Sequence, residues 1–162
     1  MTLKEEILRD IQTSKEEHRK RQIRNSLSDH LIEHHKFEVP KSMIENQAMN
    51  LMSWIEDDHK QKGQKAPEWK EQDLQALKTR AERMVKSALL LQEVAEKEKI
   101  ELDETQLESR IQKISEQLNQ GLEDTRKWLS GRGMLDRLRD EVLTDQVFDF
   151  LAAHATIERS PK

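Results

Sequence analysis

The chain has 162 residues, of which 37% are charged, with a formal net charge of −4 and a mean hydropathy of −0.96. That length is enough for one domain with a core. The net charge leaves no overall basic field to draw in nucleic acid. The absence of cysteine excludes disulfide and thiolate chemistry and fits a reducing compartment, the cytoplasm. No apolar run approaches the ~20 residues of a membrane span, and the N-terminus does not read as a signal peptide. Leu, Ile, Val and Phe are just frequent enough to lift the chain out of the disordered class, and they recur at helical spacing. Glycine and proline are scarce and tyrosine is absent, while Glu, Lys, Gln, Leu and Arg abound, so the expected elements are long helices.

The spacing predicts a first helix over residues 3–36. Leu3, Ile7, Leu8 and Ile11 form one stripe, and Ile23, Leu27, Leu31 and Ile32 form a second, offset stripe. Gln12 to Gln22 contains no aliphatic residue, so this helix is expected to touch two different neighbours on either side of a polar waist. Pro40 forces an extended residue before it and suits the start of a second helix, which runs to about Gln61. Met43, Ile44, Ala48, Leu51, Met52, Trp54 and Ile55 cover about half of that helix, more than the ~100° a single neighbour requires. Gly63 to Pro67 reads as a turn, and a third helix follows over residues 68–99 with Trp69, Leu74, Leu77, Ala81, Met84 and Val85. The second and third helices are expected to form a long antiparallel hairpin, an arm.

The third helix ends in the most apolar window of the chain. Val85, Ala88, Leu89, Leu90, Leu91, Val94 and Ala95 point all the way round it, so Val85, Leu89, Leu90, Leu91 and Val94 are expected to form a structural node buried on every side. Next, Asp103 and Gln106 have capping-box spacing, with Leu102 and Leu107 at staple positions. Leu107, Ile111, Ile114 and Leu118 make a narrow seam for one partner helix. A short fifth helix over 122–130 carries Trp128 and Leu129, and Gly131-Arg132-Gly133 breaks the chain. The last helix, over 134–153, is expected to pack Met134, Leu135, Leu138 and Val142 on an arm, and Val147, Phe150 and Leu151 on the node. Residues 158–162 are expected to fray.

Four stretches carry a family resemblance: Val39-Pro40-Lys41-Ser42-Met43-Ile44-Glu45, Val85 to Glu93, Ile100 to Gln106, and Met134 to Leu151. Their order and spacing, across nearly the whole chain, resemble the C-terminal domain of bacterial trigger factor, a ribosome-associated chaperone. The resemblance implies an all-α, elongated multi-helix domain with long helical hairpin arms, forming one domain over residues 1–162. It also implies ATP-independent binding of unfolded or nascent polypeptides in a helical cradle, without a cofactor, in the bacterial cytoplasm. The family's ribosome-docking domain and its prolyl isomerase domain have no counterpart in this sequence. Contact with the ribosome and isomerase activity are therefore not expected of this chain itself.

A surface that holds many clients must expose adaptable apolar groups, a role that suits methionine. Met43, Met49, Met52, Trp54 and Ile55, with Trp69, Leu74 and Leu77 across the hairpin, are the candidate client-binding residues. The alternative is a helical scaffold or dimerisation domain in which these residues close the hairpin or pair with a second copy. Two weaker signals compete. His30-Leu31-Ile32-Glu33-His34 matches H-x-x-E-H, a zinc pattern, but nothing singles out a third ligand, and a solvated helix end is the simpler reading. Lys15, Arg19, Lys20, Arg21 and Arg24, with His18, form a basic cluster with Glu16 and Glu17 inside it. That cluster reads as a solvated waist laced with i,i+4 pairs, or as an electrostatic grip on acidic clients or on RNA. No metal site, specific nucleic-acid site, membrane contact or nucleophile–base pair is expected.

Overall fold

A computed structural model describes the backbone of residues 3–155 and the side chains of residues 7–155. Six helices follow one another: α1 Leu3–His34, α2 Lys41–Gln61, α3 Glu71–Lys97, α4 Glu104–Leu118, α5 Leu122–Gly131 and α6 Met134–His154. No strand occurs among the described residues, so the all-α expectation holds. The expected fraying of residues 158–162, and the place of Leu3 in its stripe, lie outside the residues whose side chains are described. The chain divides into two compact units, Ser28–Leu90 and Met1–Leu27 with Leu91–Lys162.

In the unit Ser28–Leu90, α2 and α3 form the antiparallel hairpin that their spacing predicts. Gln47 on α2 meets Met84 on α3, and Glu56 meets Trp69 just before α3, so one chain rises as the other falls. Ala48, Leu51, Leu77 and Ala81 are the buried seam, with Ile44, Met52, Ile55 and Trp69 packed against it. Two of the four seam residues are alanines, which allow the helix axes to approach closely. The third helix starts three residues later than expected because Trp69 folds back onto α2, its indole N–H donating to Glu56 at 2.8 Å. Asp73 then accepts the backbone N–H of Lys70 at 3.1 Å and caps the true start. The end of α1 joins this unit. Ser28 is buried and accepts from the Ser87 hydroxyl at 3.1 Å, and Arg83 donates from Nε to Asp29 at 2.8 Å.

In the other unit, α4, α5 and α6 build a three-helix core from Leu107, Ile111, Leu129, Leu138 and Val142, with Leu102, Ile114, Leu122, Trp128 and Leu135 around it. Two expectations are corrected here. The seam of α4 serves two helices rather than one. The first half of α6 packs on α4 and α5 rather than on an arm. An α-helix of 15 residues with a fully buried Leu107 and Ile111 needs neighbours on both sides of the seam, and the short α5 supplies one of them. Leu118 and Met134, at the ends of their stripes, remain exposed. Asp145 on α6 accepts from Arg24 of α1 and Arg110 of α4, and Arg24 also lies over the Phe148 ring, 5.3 Å from its centroid.

Two further expectations change. The node is not buried on every side: Val85, Leu90, Leu91 and Ala95 are buried, Leu89 and Val94 are half-buried, and Ala88 is exposed. A methyl group gains too little from burial to require cover, so the apolar ring stays open at Ala88. The described part of the first α1 stripe finds no cover among the described residues: Ile7, Leu8 and Ile11 are each exposed, as is every residue of the waist Gln12–Gln22.

Helix ends explain the boundaries. Gly63, Lys99 and Asn119 all take positive φ, and in each case the next residue's N–H reaches back five residues, to His59, Ala95 and Ser115 respectively. These are Schellman ends, satisfying carbonyls that have no helical partner. At the start of α4, Oδ1 of Asp103 accepts from the backbone N–H of Thr105 (2.9 Å) and of Gln106 (3.3 Å). The reciprocal half of the expected capping box is replaced. Gln106 Nε2 turns to the Asp103 carboxylate, and the Asp103 N–H donates to Gln146 of α6 at 3.0 Å.

Two outcomes follow from this packing. Ile111→Ala should lower unfolding free energy by about 2–5 kcal/mol in a denaturant titration, whereas Leu118→Ala should cost no more than about 0.5 kcal/mol. Partial burial opposes ionisation of Asp103, but the N–H groups of Gln106 and Thr105 outweigh it and hold its carboxyl below the usual carboxylate value. A depressed folded-state pKa means stability that is present above the unfolded carboxylate value and is lost as pH falls through the folded one. Asp103→Asn keeps a capping oxygen without the charge. Its stability deficit relative to wild type should therefore be present at neutral pH and vanish on acidification below the carboxylate range, as read by thermal melts across pH.

Candidate functional site

The hairpin sorts the eight candidate residues by their angle on each helix. At about 100° per residue, Ile44, Ala48, Leu51, Met52 and Ile55 lie on the α2 face turned to α3. Met52, Ile55 and Trp69 are accordingly half-buried against the seam, and Leu77 is one of its buried members. These four hold the hairpin together, the structural role weighed against client contact in the sequence.

Four residues stay outside. Trp54 is 62% exposed and Met49 is 56% exposed, and Met43 and Leu74 are exposed as well. Met43 and Trp54 are separated by eleven residues, hence about three turns and only about 20° of arc, so they share one flank of α2. Met49 lies about 120° from Met43 on the other flank. The eight residues therefore do not form one face. The structure also adds a residue that the spacing assigned to the approach to the node. Met84 is exposed, and its sulfur accepts from Gln47 Nε2 at 3.8 Å. Gln47 lies about 40° from Met43 and about 20° from Trp54, so Met84 joins their flank across the hairpin.

The chemistry of this flank is that of contact rather than catalysis. It offers an indole, two thioethers and an amide, with Asp57 and Asp58 on the turn after Trp54 and Asp58 paired to Lys62 at 2.7 Å. Methionine side chains adapt to differently shaped apolar partners, and a half-open indole offers a large area with a polar edge. Among the described residues, no group of three or more His, Asp or Glu is placed to hold a metal ion. His30 and His34 stack with ring centroids 4.0 Å apart, and Nδ1 of His34 bonds the His30 carbonyl at 2.8 Å. Both rings are exposed at a helix end. No helix of the described residues is long and apolar enough to cross a membrane.

Comparison with known proteins places the chain among relatives. It is 26% identical to the trigger factor of Halothermothrix orenii over 163 aligned residues, covering 94% of this chain and 37% of that protein. It is 29% identical to the trigger factor of Koribacter versatilis, covering 92% of this chain and 35% of that protein. It is also 29% identical to that of Citrifermentans bemidjiense, covering 87% and 33%. The chain thus spans about a third of the length of the curated relatives it matches. No solved structure matches it. The family description "Bacterial trigger factor protein (TF) C-terminus" matches residues 1–153, nearly the whole chain, and the chain belongs to that family.

Proposed function

We propose that this chain is a client-holding chaperone module. It would bind unfolded or nascent polypeptides without ATP, in the bacterial cytoplasm, and keep them soluble until they fold or are exported. The observation that carries this reading is the exposure of Trp54, Met43, Met49 and Met84 on a hairpin whose seam is already filled. A tryptophan left open on a solvated helix contributes nothing to the fold, and it is a residue that binding surfaces favour. Membership of a trigger factor family supports the same reading. This reading asks neither ribosome docking nor prolyl isomerase activity of the described residues.

The high charge of the surface fits weak, reversible holding. Each exposed apolar side chain is surrounded by solvated groups, so a client gains a few contacts of modest energy and can leave. The groups that close the hairpin differ from those left open; under the scaffold or dimerisation alternative the open set would pair with a second copy.

In an aggregation assay with a chemically unfolded protein, Met43→Glu/Trp54→Glu should suppress aggregation several-fold less well than wild type, with helicity and melting temperature unchanged. Leu77→Ala should act in the opposite manner, lowering the melting temperature by leaving a cavity in the seam. Undiminished suppression by the folded double variant would remove this flank as the holding surface.

A further inference from the structure

The α1 waist is solvated as expected, but the i,i+4 ion pairs expected along it are not formed. Glu16 and Lys20, and Glu17 and Arg21, have the right spacing, yet none of them takes part in an ion pair among the described residues. The geometry of the helix shows what the waist does instead. Over residues 7–22, at about 100° per residue, Ile7, Leu8, Ile11, Lys15, His18, Arg19 and Arg21 fall within one half of the circumference. Asp10, Glu16 and Glu17, the acidic residues of that span, all fall in the other half. One side of α1 therefore carries three aliphatic groups followed by basic ones, and no carboxylate.

This side is open. Ile7, Leu8 and Ile11 are each close to half exposed, and Lys15, His18, Arg19 and Arg21 are exposed. Within its own unit, α1 is held from the opposite side. Arg24, which pairs with Asp145 and lies over Phe148, projects about 150° away from the middle of the acid-free half. The fold thus anchors α1 by one side and leaves the apolar-and-basic side free.

We propose that this side of α1 is a second client surface, selective for polypeptide segments that combine aliphatic residues with a run of carboxylates. The proposal rests on the chaperone reading and names a class of client. The aliphatic turn and the basic turn are consecutive and span about 18 Å from Ile7 to Arg19 at 1.5 Å per residue. An extended segment of five or six residues covers that length at about 3.3 Å per residue. Charge complementarity fixes the acidic character of the partner. A phosphate backbone would leave the aliphatic turn without a partner, and no aromatic ring is interleaved among the basic residues on which a base could stack. A membrane surface requires a long apolar face, and three aliphatic residues in about one turn do not provide one.

The test is fluorescence anisotropy with the full chain and three labelled peptides: one aliphatic and acidic, one with lysine in place of each carboxylate, and one acidic without aliphatic residues. The acidic aliphatic peptide should bind about three- to tenfold more tightly than either, the scale of two or three exposed ion pairs added to apolar contact. The preference should shrink in about 0.5 M salt, where screening acts within a few ångströms. Lys15→Glu/Arg19→Glu should reverse the charge preference, and Ile7→Ser/Ile11→Ser should weaken binding of the acidic aliphatic peptide without changing helicity. Equal binding of the acidic aliphatic and lysine peptides, or an unaltered preference in the charge-reversal variant, would overturn the proposal. Binding of a single-stranded RNA or of anionic phosphatidylglycerol vesicles through these residues, with no peptide preference, would overturn it in favour of those occupants. Aggregation suppression measured alongside separates the two readings: its loss in wild type would defeat the chaperone assignment, whereas its persistence without peptide preference would defeat this inference alone.

Discussion

Two helices packed side by side can cover only the stripe along which they touch. In the α2–α3 hairpin that stripe is Ala48, Leu51, Leu77 and Ala81, widened by Ile44, Met52, Ile55 and Trp69. Everything apolar on α2 beyond that arc has no partner within the hairpin. The second helix carries more apolar circumference than one neighbour can use, and the excess emerges as Met43, Met49 and Trp54. The exposed groups are therefore a consequence of geometry. A helix laid along each flank of the hairpin would cover them, and client segments can take those places.

The unit built on α4, α5 and α6 resolves the same constraint differently. Three helices surround Leu107, Ile111, Leu129, Leu138 and Val142, so each stripe meets two neighbours and the largest side chains disappear from solvent. Polar ties then fix what apolar contact leaves free. Asp145 gathers Arg24 and Arg110, and Gln146 on the same helix receives the Asp103 N–H and donates to the Glu101 carbonyl at 3.1 Å. One turn of α6 thereby locates both α1 and the entry to α4.

Most of the helix pattern was legible in the sequence, because periodicity and caps act locally. Pro40 marked the start of α2, Gly63 its end, Asp103 the start of α4, and Gly131-Arg132-Gly133 the break before α6. What the sequence could not show depends on partners distant along the chain. Lys99 takes a left-handed conformation that no residue type announces. The reply to the Asp103 N–H comes from Gln146, forty-three residues away, instead of from Gln106. The Arg24–Asp145 pair is separated by 121 residues, so the waist of α1 could not be divided in advance into an anchored and a free side. Among the candidate residues, spacing placed Met43, Met49, Met52, Trp54 and Ile55 on α2 but did not show which of them the seam would cover. Residue type grouped Met49 with Met43, although helical spacing already sets them about 120° apart; the contact of Gln47 with Met84 then shows which flank Met84 joins.

The central claim is that a hairpin with a filled seam holds other polypeptides by what the seam leaves out. Methionine methyl NMR of the full chain, titrated with a labelled unfolded protein, tests it directly because Met43, Met49, Met52 and Met84 report from both sides of that division. The account predicts shifts and broadening at Met43, Met49 and Met84, with Met52 little changed and the dispersion of the folded state retained. Perturbation of Met52 together with loss of that dispersion, or no change at Met43, Met49 and Met84 while the client stays soluble, would contradict it.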